Sequence, residues 1–533
     1  MKIYQSENIL NWYPFNKIDT VLEIGETSEE LTKLFNKKCK EVEILKNLLD
    51  NELTKKIDGN KYDIITLIGV QEKWEQVIGN NLTLKELLKK LTKFLKDEGK
   101  ILLAIDNKFG LRFFAGNPEK ILNNKFETLI GYNNQQRKIE TFTKVTLDKM
   151  FKELGFNARF YYPLPDYKMP NVIFSEDQLP QYNSIDKYNP YFIENSNVIF
   201  NEIDVFREIL KTNSDMFEFF ANSFLIELTM GECNKQYKYI SFNNLRKEEY
   251  RLITKISDYY VEKQIINDNS TKHYDNIKNN LNILKENNIK TVDYIEGNII
   301  KSKYIKQNYL LNNVLTEKLE QGKIEEFYDI LDKYIKIIKT NSYKKSDYSN
   351  TVFEKYNIDI ENKEIIKNLN FLKNGLWDLT FKNCFYINNE LYFFDQEWNE
   401  ANLPAEYILY HSIFYTISLR RFIKIEDLFE KYDILQYINL FKKLDDKLQE
   451  EIRDEEIWKF YNQNHYIDID ATKQEVENLN IRLKAQNYAI ENMKDEIEKL
   501  REQNNFLQNQ VNKSVIKKVI VKFRTYFQRK DKN

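Results

Sequence analysis

The run from Val476 to Val511 constrains this chain more than any other stretch. Val476, Leu479, Leu483, Gln486, Ile490, Met493, Ile497, Leu500, Asn504, Leu507 and Val511 follow one another at alternating steps of three and four. That spacing draws one apolar stripe along a helix at the period of a coiled coil, and it holds for five heptads with no Pro or Gly. A lone helix cannot bury such a seam. The spacing therefore predicts a long coiled-coil helix over residues 472–512 and a homo-oligomer joined through it. Gln486 and Asn504 are the polar exceptions. Asn504 falls at an a position, where a buried amide lowers stability and fixes register, most often in parallel dimers; a trimer stays open. Glu496 and Arg501 fall at g and the following e, placed for an ion pair between chains.

The heptad frame breaks after residue 512. In SVIKKVIVKFRTYFQRKDKN, Ile516, Val519, Ile520, Phe523 and Phe527 share one helical face, and Lys517, Lys518, Lys522, Arg524 and Arg529 lie largely elsewhere. Such a basic amphipathic tail, over 513–533, suits an anionic membrane surface. No run approaches the ~20 apolar residues of a membrane span, and MKIYQSENILNWYPF lacks the apolar core of a signal peptide. Cys39, Cys233 and Cys384 are far apart, which argues against a disulfide framework or a zinc site and fits a reducing compartment. The formal net charge of -2 leaves no footprint for nucleic acid. Together these features predict a cytoplasmic protein held peripherally at the inner face of the cell membrane.

Residues 1–205 alternate strands and helices. VLEIG reads as a strand, YDIITLIGV as a strand buried on both faces, LTLKELLKKLTKFLKDEGK as an amphipathic helix ending near Gly99, and ILLAIDNKFG as a further strand. Buried strands alternating with helices argue for a parallel α/β sheet. The pieces LNWYPF, VLEIG, YDIITLIGV, DNKFGLRFFAG and YYPLPDYKMPNVIFSEDQLP resemble class I S-adenosylmethionine (SAM) methyltransferases, in particular those encoded with bacterial surface-polysaccharide enzymes. The resemblance implies an α/β Rossmann-like domain, SAM as cofactor, Glu23 and Gly25 as cofactor residues, and Asp106 and Asn107 facing the ligand crevice. The sequence departs from the family where the cofactor binds. Of the glycine loop only Gly25 is present, with Thr27 and Glu29 in the other places, and Glu29 sets a carboxylate near where the family holds that of SAM. The ribose-binding acid has two candidates, Glu43 and Asp50, and the short interval from Gly25 to Ile68 implies that one β–α unit is shortened or lost. The site is expected to be eroded.

Residues 206–467 open with strand-like NSFLIEL, KYISF and DYYVEKQII, and continue mostly helical, with a long helix through FYDILDKYIKIIK. Within them WDLTFKNCFYINNELYFFDQEW reads as loop, strand, Asn-Asn turn, strand, loop. It resembles the catalytic core of the protein-kinase-like and aminoglycoside-phosphotransferase-like fold, an α+β domain. Asp378 and Asn383 carry the D-x-x-x-x-N spacing, and the hairpin leads to Asp395. The resemblance implies Asp378 as the catalytic carboxylate, Asn383 and Asp395 as Mg²⁺ ligands, and Lys263 on the ATP phosphates. TVDYIEG and KYIKQNYLL are the strands expected before the hinge, and Asp275 and Glu286 the candidate acids for pairing Lys263. No glycine-rich loop is present, and Leu376-Trp377 stand where the family has His-Arg. His273, His411 and His465 are scattered and read as ordinary core or surface residues.

The order of parts resembles the bifunctional methyltransferase–kinase chain terminators of bacterial surface polysaccharide synthesis. In that family the coiled coil separates the catalytic head from the membrane. The resemblance implies a surface-glycan or lipid-linked sugar substrate, with phosphate passed from ATP to a sugar hydroxyl. An active SAM-dependent methyltransferase with a silent kinase-like domain, and a non-enzymatic coiled-coil scaffold, stay open as alternatives.

Overall fold

A computed structural model describes residues 6–25, 28–47, 61–79, 82–132, 140–191, 197–360, 363–462 and 466–530. The chain divides into two units, Met1–His465 and Tyr466–Asn533.

The first unit is organised on one mixed sheet. Its strands in chain order are β1 (Thr20–Ile24), β2 (Glu41–Leu45), β3 (Tyr62–Ile68), β4 (Leu95–Asp106), β5 (Asn157–Leu164), β6 (Val172–Ser175), β7 (Ser223–Thr229), β8 (Tyr239–Phe242), β9 (Leu252–Ile256), β10 (Tyr260–Ile265), β11 (Tyr294–Glu296) and β12 (Ile299–Lys303). Across the sheet they run β2-β1-β3-β4-β7-β5-β6-β8-β9-β10-β12-β11. The first four are parallel, and β7 enters antiparallel between β4 and β5. This part is the Rossmann-like α/β fold expected from the buried strands. Both faces are covered: Leu22, Ile65, Ile101 and Ile226 pack into one core, and Val21, Ile64, Leu102 and Leu225 into another. Continuous apolar runs are what strands buried on two faces require.

Two local expectations change. NSFLIEL does not open a separate second segment: as β7 it pairs with β4 and β5, inside the one compact unit that spans the expected 205/206 boundary. The helix expected to reach Gly99 ends earlier. Thr83 and Glu86 form a capping box that starts it, Leu84–Leu91 is helical, and a short 3₁₀ turn leads into β4 at Leu95. Gly99 lies inside β4 beside a register shift against β3, where a Cβ would meet the Lys96 carbonyl at 2.9 Å and that of Tyr62 at 3.0 Å. At the other edge β2 is the last strand among the described residues, and Asp50 lies outside them.

From β6 onward neighbouring strands are antiparallel, and the pairing of β6 with β8 makes the two halves one continuous sheet. The helix Thr271–Glu286 connects β10 to β11. KYIKQNYLL is not a strand; the preceding Ile299–Lys303 is, and Gln307–Tyr309 forms a 3₁₀ turn. A helical lobe follows, with Leu311–Glu320, Ile324–Ile338, Ala405–Phe414 and Ile438–Ile452 around Tyr334, Phe371 and Phe441. It carries β13 (Tyr343–Lys344), β14 (Asn370–Gly375) and β17 (Glu400–Pro404), and the hairpin of β15 (Cys384–Ile387) and β16 (Glu390–Phe393). The hairpin turns at Asn388-Asn389, both left-handed with φ of 50° and 68°, as a two-residue turn of that type demands.

The second unit is one helix, Ile469–Lys530, which continues through the point where the heptad frame breaks. Its seam is bare in the single chain: Leu483, Ile490 and Leu500 are 55%, 46% and 59% exposed. Among the described residues no helix is long and apolar enough to cross a membrane.

Candidate functional site

Two concave regions gather charged residues. The first lies between the β8–β12 half of the sheet and the helical lobe. Lys263 projects from β10, and its ammonium donates to the carboxylates of both Asp395 and Glu397. Arg246 donates to Glu397 from the loop after β8, and His273 Nε2 lies 3.5 Å from the same carboxylate. Asp395 takes a left-handed backbone, φ 59°, which Asp tolerates better than most residues. Its N–H donates to the Asp293 carboxylate at 2.7 Å, which fixes its position. Asp378 Oδ2 accepts the Glu397 N–H at 3.2 Å. The Asp378 carbonyl accepts from Asn383 Nδ2 at 3.2 Å and from Gln396 Nε2 at 2.9 Å. The D-x-x-x-x-N loop and the segment after the hairpin are thereby tied together.

Burial dominates the electrostatics here. It pushes the Asp378 and Asp293 carboxyls up to about 7 each. Burial acts on Glu397 in the same direction, but Arg246 and Lys263 override it and hold that carboxyl well below its ordinary range. A deep anion with two cations around it is the arrangement in which a buried charge is tolerated.

The residues named from sequence, Lys263, Asp378, Asn383 and Asp395, therefore meet in one cleft. The acids proposed for Lys263 do not meet it. Asp275 pairs with Lys278 on the surface, and Glu286 is exposed. Sequence reasoning missed Glu397, Arg246, Asp293 and His273. Only Glu397 carried a signal, as the second acid of Asp395-Gln396-Glu397. His273 is buried, as a core residue would be, and packs against Trp398 with ring centroids 4.6 Å apart. His411 is buried against Asp445 at 2.9 Å, and His465 lies outside the described residues. Among the described residues no three His, Cys, Asp or Glu side chains form a metal cage. Asn383 uses its Nδ2 on the Asp378 carbonyl, and the Asp395 carboxylate accepts from Lys263; both residues carry the hard oxygen that Mg²⁺ takes.

The second region lies outside the carboxyl ends of β1 and β3, where the strand order reverses and where open α/β sheets bind ligands. A cavity of about 370 Å³ there is lined by Gly25, Ser28, Gly69, Lys73, Tyr167 and Lys168. Gly25 has φ 94°, and a Cβ would stand 3.2 Å from Val70 Cγ2. Ser28 caps the helix Glu29–Lys38 by accepting from the Leu31 N–H. Glu29 does not crowd the crevice: it pairs with Lys33 at 2.6 Å, both side chains more than 70% exposed. Thr27 lies outside the described residues.

Other expected roles here give way to scaffolding. Glu23 is buried and accepts from Thr32 Oγ1 at 2.7 Å, tying β1 to its helix. Asn107 donates to the carbonyls of Phe219 and Ala221, so it braces β7 and does not face ligand. Glu43 accepts from the Tyr62 hydroxyl. Asp106 is paired with Arg112 at 2.6 Å, while Arg112 also holds Asp166 at 2.8 Å. Glu72, held by Lys168 and Tyr167, lines the same cavity and was not anticipated. Gly25 and the capped helix start fit a cofactor that needs close backbone approach.

No family model and no curated protein matches the sequence. Among solved structures, a SAM-dependent methyltransferase from Archaeoglobus fulgidus is 16% identical over 42% of this chain and 91% of that one, with a TM-score of 0.25. The YcgJ protein from Bacillus subtilis is 12% identical over 43% of this chain and 99% of that one, with a TM-score of 0.23. Haemonchus contortus phosphoethanolamine N-methyltransferase 2, in complex with S-adenosyl-L-methionine, is 12% identical over 43% and 52%, with a TM-score of 0.23. At scores this low the likeness does not define the fold, which rests on the strand order above.

Proposed function

We propose that the chain is a transferase of surface glycans or their lipid-linked precursors, whose kinase-like domain passes phosphate from ATP to a sugar hydroxyl. The convergence of Lys263, Asp378, Asn383 and Asp395 in one cleft carries this reading. Asn383 and Asp395 would hold Mg²⁺, which neutralises phosphate charge when bound. Lys263 would then exchange a carboxylate partner for phosphate oxygens. Asp378, anchored by the Glu397 N–H, would orient the acceptor hydroxyl and take its proton. Asp395→Ala should abolish Mg·ATP binding and turnover; unchanged turnover would sink the assignment.

A second reading, SAM-dependent methyl transfer by the first domain, is favoured by the crevice at Gly25 and by Glu29 turning to solvent. SAM supplies an electrophilic methyl group when bound, and Gly25 and the start of the helix Glu29–Lys38 would receive its methionyl end. Calorimetric titration of SAM into the protein tests it. Micromolar binding supports the reading, and no heat from folded protein ends it.

The seam of Ile469–Lys530 would join copies into a dimer, and the basic tail would rest on the inner face of the cell membrane.

A further inference from the structure

The loop after β4 anchors an exposed apolar patch. Phe109, Phe114, Phe126, Ile130, Ile199 and Phe219 are each 39–52% exposed. They are contiguous. The Phe109 and Phe114 rings are 6.5 Å apart, and Phe114 lies 6.4 Å from Phe220, the neighbour of Phe219. A Cβ on Gly116 would touch Phe126 at 3.6 Å and Ile199 at 3.7 Å. Phe126 opens the helical turn that ends at Ile130. Exposed apolar side chains are ordinary one at a time, whereas a contiguous group marks a docking face. Six side chains of this size, exposed to this degree, present about 500 Å².

Charge argues against a lipid face. An anionic membrane draws on free cations at the rim. Here Lys125 is held by the Asn197 carbonyl at 3.0 Å, Lys144 by Glu218 at 2.6 Å, and Lys108 lies over the Phe109 ring at 5.6 Å. The patch itself carries no charge. A surface that meets its own copy needs that, because equal charges would be set against each other.

The helix Glu455–Asn462, which precedes the long helix in sequence, lies beside the patch. Its Phe460 packs with Ala115 and Val198, the chain neighbours of Phe114 and Ile199. Ile469, where the long helix begins, follows Phe460 by nine residues, a tether of at most about 30 Å. Asn504 at an a position favours parallel strands, so the tethers of both copies start from the same end of the coil.

We propose that the patch of one copy packs on the same patch of a second copy once the coil has joined them; this rests on the oligomer reading above. The area fits. Two such patches bury about 1,000 Å² together, short of the roughly 1,200–2,000 Å² of a free-standing interface. The contact is too small to join separate chains. It suffices where the coil already holds the partner at an effective concentration of order millimolar. A two-fold contact of this kind closes on itself and adds no third copy.

The test is cross-linking of the full chain by a short bismaleimide, with sedimentation of the same sample. Cys39 and Cys384 are buried and Cys233 is half-buried, so the parent gives the background. Phe114→Cys and Ile199→Cys, made separately, should each join two chains. Tyr259→Cys, at a site 77% exposed between β9 and β10, should not. Phe219→Asp added to Ile199→Cys should cut cross-linking at least ~5-fold with the dimer mass unchanged. A sedimenting dimer that cross-links no better at the patch than at residue 259 overturns the inference and keeps the coil. A monomer overturns both. Cross-linking that survives Phe219→Asp, with retention on phosphatidylserine vesicles lost, assigns the patch to lipid and also overturns the inference.

Discussion

The cleft at β10 and the crevice at β1 sit in the two halves of one sheet, and they treat charge differently. In the cleft, side chains far apart in sequence converge on one another: Lys263 meets carboxylates 132 and 134 residues away. In the crevice, the residues expected to serve a ligand mostly serve the fold. Glu23 holds a helix, Asn107 braces β7, and Gly25 contributes shape and no side chain. A site made of side chains survives as a constellation. A site made of backbone approach shows as a shape. The comparison teaches that the two must be probed by different changes.

The largest effect should come from the constellation. Lys263→Met removes a cation from the buried Glu397 and the part-exposed Asp395, and breaking a buried pair costs about 3–5 kcal/mol. Phosphate transfer should fall at least ~100-fold. Heat of SAM binding, if present in the parent, should be unchanged. Loss of both would show that the variant damages the shared sheet and that the sites are not separable.

Shape is broken by adding bulk. Gly25→Val forces a β-branched residue to φ 94° and places its Cβ 3.2 Å from Val70 Cγ2. The backbone strain alone is about 1–3 kcal/mol, so SAM affinity should drop roughly 10-fold or more, with Mg·ATP binding untouched. Calorimetry on both ligands decides. Undiminished SAM binding would place the cofactor elsewhere.

What could be read beforehand follows the same division. Periodicity and turn chemistry are local, so the long helix, the parallel strands and the Asn388-Asn389 hairpin were legible. The place of β7 was not, because a strand pattern does not say which gap it fills; Ser223–Thr229 pairs with β4, more than a hundred residues earlier. Gly99 looked like a helix end because Gly commonly follows helices, but sheet pairing claimed the preceding residues. The acids expected for Lys263, Asp275 and Glu286, lie near it in sequence, whereas the fold supplies Asp395 and Glu397 from beyond the hairpin. Glu29 departs from expectation for a subtler reason. Sequence position put it near the cofactor, yet the first turn of a helix turns that side chain to solvent.

A smaller effect separates assembly from catalysis. Asn504→Leu replaces the polar a-position residue of the exposed seam with an apolar one. The oligomer should gain about 1 kcal/mol, a rise of roughly 2 °C or more in melting temperature, and lose uniqueness of copy number in sedimentation. A variant with unchanged melting and one sharp species would mean that Asn504 does not face a partner.

A last effect, read through pH, tests the buried Glu202. Glu202 is buried and accepts from the Tyr191 N–H at 2.7 Å and from Asn222 Nδ2 at 3.1 Å. Burial pushes its carboxyl from the ordinary 4.5 up to about 7, against those hydrogen bonds and the nearby Arg112, and with the aid of Asp166. The folded chain then holds a proton that the unfolded chain releases between those values. Stability from this group is present in full below about pH 4.5 and is lost as pH rises to 7, at most about 3 kcal/mol. Glu202→Gln keeps an acceptor for Tyr191 without the charge, so the fall in denaturation midpoint from pH 5 to pH 8 should shrink relative to the parent. An equal fall in both proteins would mean that Glu202 is ionised in the fold.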